Sequence, residues 1–151
     1  MNILLDTHIA IWAISNHYSL AEKAKTLITD PDNAIYFSSV SVWEVLLKHD
    51  SPKSNLNLTP EDFVAYCEES GYYHLNMKSK HVLTAATLDI SKIDKDQRDP
   101  FDRLLLTYPN SVSAILTTQT VVFFTALLPW SCEDRIDAGL VSLSPHNSIV
   151  L

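Results

Sequence analysis

Three acidic residues are the side chains of this chain best suited to chemistry. Asp6, Glu44 and Asp102 come from distant parts of the sequence, and each lies where a predicted strand gives way to a predicted helix. Parallel-sheet proteins build their sites at such junctions, outside the carboxyl ends of the strands. Carboxylates gathered there are costly unless a cation neutralises them, and Mg²⁺ or Mn²⁺ is the usual occupant of an all-oxygen site. The pattern therefore predicts a divalent-metal site.

Each acid taken singly also has a purely structural explanation. Asp6 would cap the helix that starts at Thr7. Glu44 would be the partner of Ser41 in a capping box. Asp102 would stabilise the start of its own helix through the macrodipole. The residue types alone fit both a metal site and three helix starts.

Strands and helices alternate over the first hundred residues. Apolar runs at 2–5, 35–37 and 73–77 predict strands. Helical periodicity and caps predict helices at 7–14, after a capping box at Ser19–Glu22, after Ser41, at 59–70, at 79–88 and from Asp99 onward, with a charged loop at 89–98. Such alternation predicts a parallel α/β sheet. Trp12 and Trp43 are interpreted as core residues.

The last third of the chain has a different character. Only four charged residues of the chain follow Arg103, and they lie at 133–137. Residues 112–130 carry no charge. A membrane span is disfavoured there, because serines and threonines interrupt the segment and Pro129 lies near its end. Two buried strands, at about 114–117 and 121–126, are the preferred interpretation.

Composition limits the class of protein. A chain of 151 residues with 46% hydrophobic content is expected to form a single globular domain, 1–151. Cys67 and Cys132 form no disulfide framework, and Cys67 is predicted to be buried apolar filler. No signal peptide is visible, so a cytoplasmic location is expected. The net charge of −7 does not indicate a nucleic-acid binder, although a bound metal reverses the local field.

Three motifs in order resemble the PIN-domain ribonucleases, and in particular the VapC-type toxins of toxin–antitoxin pairs. They are the opening Asn2–His8, the junction Ser41–Glu44 and the segment Asp99–Leu105. The resemblance covers about residues 1–106. It implies an α/β fold of the PIN-like three-layer type with a central parallel sheet, one or two Mg²⁺ or Mn²⁺ ions, and cleavage of RNA phosphodiesters. It also implies a cognate antitoxin protein as partner and admits a homodimer, with no membrane association.

The same resemblance assigns roles to individual residues. It makes three acids the catalytic metal ligands: Asp6, Glu44 and Asp102. Asp99 lies three residues before Asp102 and is a further candidate ligand on the same helical turn. The candidate substrate contacts are Thr7, His8 and Arg103. For His8 a satisfied polar residue at a helix start, and for Arg103 a surface ion pair with Asp99, are the competing interpretations.

The chain departs from the family pattern after residue 106. The family usually supplies a fourth acid in a short strand ending Thr-His-Asp, where this chain has Thr118 and Gln119. Residues 107–151 are therefore expected to be divergent or degenerate, with a frame shift as one hypothesis. Three functions stay open: an endoribonuclease toxin with weakened activity, an impaired relative that only binds its antitoxin, and an acidic α/β binding domain without enzymatic activity.

Overall fold

A mostly parallel sheet forms the centre of the fold. The computed structural model describes residues 1–87, 100–108, 114–116 and 121–123, with backbone placement alone for residues 102, 114–116 and 121–123. The strands are β1 (Asn2–Leu5), β2 (Ala34–Ser38), β3 (Tyr73–Leu75), β4 (Ala114–Leu116) and β5 (Val121–Phe123). Their spatial order is β3-β2-β1-β4-β5, parallel except for the antiparallel pair of β4 and β5. The predicted central parallel sheet is confirmed.

Helices connect and cover these strands. They are α1 (Thr7–Ile14), α2 (Glu22–Thr29), α3 (Ser39–His49), α4 (Pro60–Glu69), α5 (Ser79–Thr87) and α6 (Pro100–Leu105). The predicted alternation is therefore confirmed over the described residues. None of the helices described is long and apolar enough to cross a membrane.

Alternate residues of β1 pack into two different layers. Ile3 and Leu5 join the larger core cluster with Phe63 of α4, whereas Leu4 joins a second cluster with Leu105 of α6. This follows from the period of two in a strand, which sends successive side chains to opposite faces. Each of these side chains is fully or nearly fully buried, worth about 1.5–3 kcal/mol apiece. Helices on both faces of the sheet give the predicted three-layer arrangement.

The predicted capping box at Ser41 and Glu44 is wrong. Strand β2 extends to Ser38, whose hydroxyl oxygen accepts a hydrogen bond from the Val40 N–H at 3.0 Å and caps α3. The helix therefore begins at Ser39, and Glu44 lies inside its second turn. The box at Ser19–Glu22 is also wrong, because α2 begins after Ala21 with no side-chain cap.

The two tryptophans, both predicted to be core residues, lie in different environments. Trp12 is half-buried and packs against the larger core cluster, as expected. Trp43 is 47% exposed, so its assignment to the core is wrong. Its ring meets Phe101 of α6 edge-on at 5.2 Å, so that it packs on a neighbouring helix while nearly half of its surface stays in solvent. Cys67 is fully buried, as predicted, and burial raises the pKa of its thiol to about 12.

Several sequence predictions lie outside the described residues. They are the loop at 89–98, Asp99, the ends of the two late strands at Thr117 and 124–126, Thr118 and Gln119, and Cys132.

Candidate functional site

Asp6 lies at the carboxyl end of β1, the central strand, and is 6% exposed. It occupies the N-cap position of α1 with extended backbone, φ −62° and ψ 154°. One carboxylate oxygen, Oδ1, accepts a hydrogen bond from the Thr7 N–H at 2.7 Å. The other oxygen, Oδ2, faces Nδ1 of His8 at 3.8 Å. The backbone thus orients a buried carboxylate and leaves one of its oxygens directed toward the site.

Glu44 is brought to the same edge of the sheet by α3. This helix begins at the carboxyl end of β2, and β2 is the parallel neighbour of β1. Glu44 is 8% exposed, and its Oε1 forms an ion pair with Nζ of Lys48 at 2.6 Å. The two residues are four apart on one helix face, the spacing at which opposite charges meet.

His8 and Lys48 link the two acids. Nζ of Lys48 lies 3.0 Å from Nε2 of His8, whose Nδ1 faces Asp6. The contact with the Asp6 carboxylate raises the pKa of His8 above its ordinary value, against burial and Lys48, which both lower it. The described site is therefore a network of two carboxylates, one imidazole and one ammonium group.

Lys48 was not singled out by the sequence interpretation. The signal was present, since a Glu-to-Lys spacing of four on a predicted helix indicates an ion pair. That spacing is common on solvated helices, however, and here the pair lies beside a buried carboxylate. Only the placement of α3 beside β1 distinguishes this pair from a surface one.

The donors present suit a hard divalent cation. Asp6 and Glu44 supply carboxylate oxygens, the ligands that Mg²⁺ prefers. Two buried hydroxyl oxygens, Thr7 Oγ1 and Ser41 Oγ, have no hydrogen-bond partner among the described residues. Thr7 follows Asp6 in the sequence, and Ser41 lies one helical turn before Glu44. Within the described part of the chain, no three His, Cys, Asp or Glu residues are grouped closely enough to hold a metal.

The predicted third ligand, Asp102, lies in α6, which packs against α3. Its neighbour Phe101 contacts Trp43, which is itself the neighbour of Glu44. The helix thus passes close to the residues around Glu44, while the side chain of Asp102 is outside the description, as is Asp99.

Arg103 has a structural contact. Its Nη2 donates a hydrogen bond to the backbone carbonyl of Ala85 at 2.6 Å and so ties α6 to α5. Its Nε is buried and has no partner among the described residues. The guanidinium is half-buried between two helices.

The fold is thus a mostly parallel α/β sheet with two buried acids, Asp6 after β1 and Glu44 in α3, at the carboxyl ends of neighbouring strands. The sequence matches the PIN domain over residues 3–115, and the chain belongs to that family. A similar solved structure is that of VapBC2 from Rickettsia felis bound to a DNA fragment from their promoter. The likeness has a TM-score of 0.45 and 19% identity and covers 72% of this chain and 79% of that one. No curated protein matches the chain.

Proposed function

We propose that the chain is a VapC-type toxin, a Mg²⁺- or Mn²⁺-dependent endoribonuclease of the cytoplasm that a cognate antitoxin restrains. The observation that carries the proposal is the pair of buried carboxylates, Asp6 and Glu44, at the carboxyl edge of a PIN-domain sheet. The motif resemblance supplies the finer assignment to the VapC type.

Buried charge supports a cation site. An ionised carboxylate removed from water is costly unless it is paired, hydrogen-bonded or bound to a metal. Glu44 has the Lys48 ammonium, whereas Asp6 has one backbone N–H and a histidine at 3.8 Å. A divalent cation between the two carboxylates would neutralise both and would satisfy the remaining oxygen of Asp6.

The residues of the site would have different roles in phosphodiester hydrolysis. Asp6, Glu44 and Asp102 would hold the metal, which when bound supplies an activated water and neutralises charge on the phosphate. The Thr7 N–H holds the Asp6 carboxylate in one orientation. Lys48 presents N–H donors on the more exposed side of the acids, where a phosphate oxygen of the substrate would accept a hydrogen bond, and the His8 ring lies between this lysine and Asp6.

The test is cleavage of single-stranded RNA by the pure protein with Mg²⁺, with Mn²⁺ and with EDTA. Glu44→Gln should lose metal-dependent cleavage, whereas Glu68→Gln, which neutralises an exposed acid on α4, should keep it. Equal cleavage by the two variants, or cleavage that EDTA leaves unchanged, would overturn the catalytic assignment.

Weakened or absent activity is the second candidate, and one observation favours it. Thr118 and Gln119 stand where the resemblance expects His and Asp, so the site has one negative charge fewer than the family pattern. We expect low metal affinity and a requirement for roughly millimolar Mn²⁺ or Mg²⁺. The double change Thr118→His with Gln119→Asp should raise both metal affinity and cleavage. Calorimetric affinities that do not change would show that residue 119 does not complete the site.

The proposed protein partner is a small basic antitoxin. A net charge of −7 favours association with a basic surface. A protein encoded beside this one should co-purify with it, and an arginine or lysine side chain of that protein should compete with metal for the carboxylates. The absence of any such complex would remove the toxin–antitoxin part of the proposal and leave the nuclease part standing.

A further inference from the structure

Four aromatic rings follow one another from the candidate site along α1 and past its end. The ring of His8 lies 6.3 Å from that of Trp12, Trp12 lies 6.0 Å from His17, and His17 lies 4.3 Å from Tyr18. We call this set, His8, Trp12, His17 and Tyr18, the aromatic row. It begins at the residue that contacts Asp6 and Lys48.

The sequence builds the row by local geometry. Trp12 lies four residues after His8, so both share one side of α1. The helix then ends in a Schellman motif: His17 N–H bonds to the Trp12 carbonyl at 2.8 Å, and Asn16 N–H bonds to the Ala13 carbonyl at 3.2 Å. Asn16 has a left-handed φ of 49°, which asparagine tolerates better than most residues. This turn folds His17 back onto Trp12, with an angle of 15° between the rings.

The far end of the row is not needed by the core. Tyr18 is 92% exposed, and His8 at the near end is also exposed. The His17 ring is held in place, because its Nδ1 accepts a hydrogen bond from the Ser19 N–H at 3.2 Å. Trp12 packs against the core and carries the stacked His17 ring, whereas Tyr18 at the end of the row keeps nearly all of its ring in solvent.

We infer that the aromatic row is a stacking path for the bases of a single-stranded RNA whose phosphate lies at the acidic site. The inference rests on the proposed nuclease function and adds the route that the substrate takes. Aromatic side chains stack on any base, and such contacts are the usual means of holding single strands. With a net charge of −7 the chain gains little from general phosphate attraction, so base contacts must supply much of the affinity.

RNA fits the row better than a protein partner does. The residues between and beside the rings, Ser15, Asn16 and Ser19, are exposed and polar. Two of the four rings are imidazoles. A protein interface needs a continuous apolar centre, whereas bases contact one ring at a time. The path therefore predicts a preference for single-stranded over double-stranded RNA, whose bases are already stacked.

The test is the affinity of the protein for a fluorescein-labelled 12-nucleotide single-stranded RNA of mixed sequence. It is measured by fluorescence anisotropy in Ca²⁺, under conditions in which the RNA is first shown to stay uncleaved. The variants are Tyr18→Ala, Tyr18→Phe as the conservative change, and Tyr66→Ala as a control for an exposed tyrosine on α4. Tyr18→Ala should weaken binding about fivefold or more, while Tyr18→Phe and Tyr66→Ala should bind as the unchanged protein does. An abasic strand of equal length should bind the unchanged protein and Tyr18→Ala equally, because only base contacts are lost.

Each other outcome has a definite meaning. Equal affinity of Tyr18→Ala and the unchanged protein overturns the path, as does failure of the unchanged protein to bind single-stranded RNA. An equal loss on the abasic strand also overturns it, because the contact would then be to the backbone. If Tyr18→Ala instead weakens only the complex with a protein partner, the row is a protein surface and the inference is wrong. If RNA binding depends on Tyr18 but the protein does not cleave RNA in Mg²⁺ or Mn²⁺, the stacking path is supported and the proposed nuclease function is wrong.

Discussion

The starts of α1 and α4 have nearly the same backbone and use their side chains differently. Thr59 before α4 has φ −76° and ψ 155°, and Asp6 before α1 has φ −62° and ψ 154°. The Thr59 hydroxyl accepts a hydrogen bond from the Asp62 N–H at 3.1 Å, three residues into the helix, and Pro60 follows at the first position. Asp6 accepts only from the adjacent Thr7 N–H among the described residues and directs its other oxygen toward His8.

This difference separates a structural cap from a candidate ligand. At α4 the Thr59 hydroxyl accepts a hydrogen bond from an N–H group of its own helix, which stabilises the helix start. At α1 a buried carboxylate has the position of a cap, yet its Oδ2 faces His8 and bonds to no backbone group of the described residues. A helix-start acid that is buried and only partly used by its helix is therefore a better candidate for function than one whose hydrogen bonds are complete.

Replacement of Asp6 should give the largest effect. We expect Asp6→Asn to lower metal-dependent RNA cleavage by more than about a hundredfold, beyond the loss seen when only a partner of a ligand is changed. The amide keeps an oxygen that accepts the Thr7 N–H, so the midpoint of thermal unfolding should change little. Cleavage assays and a thermal melt on the same preparation check this. If Asp6→Asn keeps both its fold and full activity, Asp6 is a helix cap and not a metal ligand.

Removal of the Lys48 ammonium should free Glu44 for metal. We expect Lys48→Met to destabilise the metal-free protein by about 1–2 kcal/mol, less than for a fully buried pair because Lys48 is partly exposed. The same change should tighten Mn²⁺ binding roughly threefold or more, because the competing cation is gone. Urea unfolding and calorimetric titration measure the two effects, with Lys53→Met, an exposed lysine outside the site, as the control. Weaker metal binding by Lys48→Met would show that the lysine supports the metal instead of competing with it.

The cap of α4 should affect stability alone. Thr59→Ala removes the acceptor for the Asp62 N–H and should lower the free energy of unfolding by about 1 kcal/mol. Cleavage per folded molecule should stay the same, since the Thr59 hydroxyl bonds to an N–H group of its own helix and not to an acid of the site. Thr59→Ser, which retains the hydroxyl, is the matched control. A change in the metal dependence of cleavage would break the distinction between the two helix starts.

A third helix start should respond to pH with the smallest effect. Nδ1 of His81 accepts a hydrogen bond from the Lys78 N–H at 3.2 Å, just before α5. Burial, Lys80 and Lys78 lower the pKa of His81 below 6.5, and its ring packs 4.4 Å from that of Tyr108. The unfolded chain therefore takes up this proton first, and stability falls as the pH drops below about 6.5. Urea unfolding between pH 7.5 and 5 should show a steeper loss for the unchanged protein than for His81→Gln, and parallel losses would contradict the assignment.

Much of the fold was predictable because it follows from local patterns. Periods of two and near 3.6 located the strands and helices, and Thr59 with Pro60 located the start of α4. The alternation of strand and helix then required a parallel sheet. The convergence of Asp6 and Glu44 on one edge followed from that sheet, since parallel strands end on the same side.

What could not be predicted depends on pairing between distant segments. Strand β2 extends to Ser38 because Ser38 pairs with Leu75 of β3, and this extension makes Ser38 the cap instead of Ser41. Trp43 packs its ring against Phe101 of α6 and still keeps nearly half of its surface exposed, and no local pattern reveals how much of a side chain such a distant contact covers. The role of Lys48 needed the placement of α3 beside β1. In each case a contact far along the chain overrides a local preference.

The position of β1 has a consequence for when the candidate site is completed during synthesis. Strand β1, which Asp6 follows, precedes the other described strands along the chain, yet it lies at the centre of the sheet, and Ile3 pairs with Ala114, more than a hundred residues later. Pairing over such a distance carries a large loop-closure entropy and slows folding. In a nascent chain on the ribosome, β1 thus lacks its neighbour β4 until most of the protein has emerged. The candidate metal site would therefore be completed only after the chain has been made through β4.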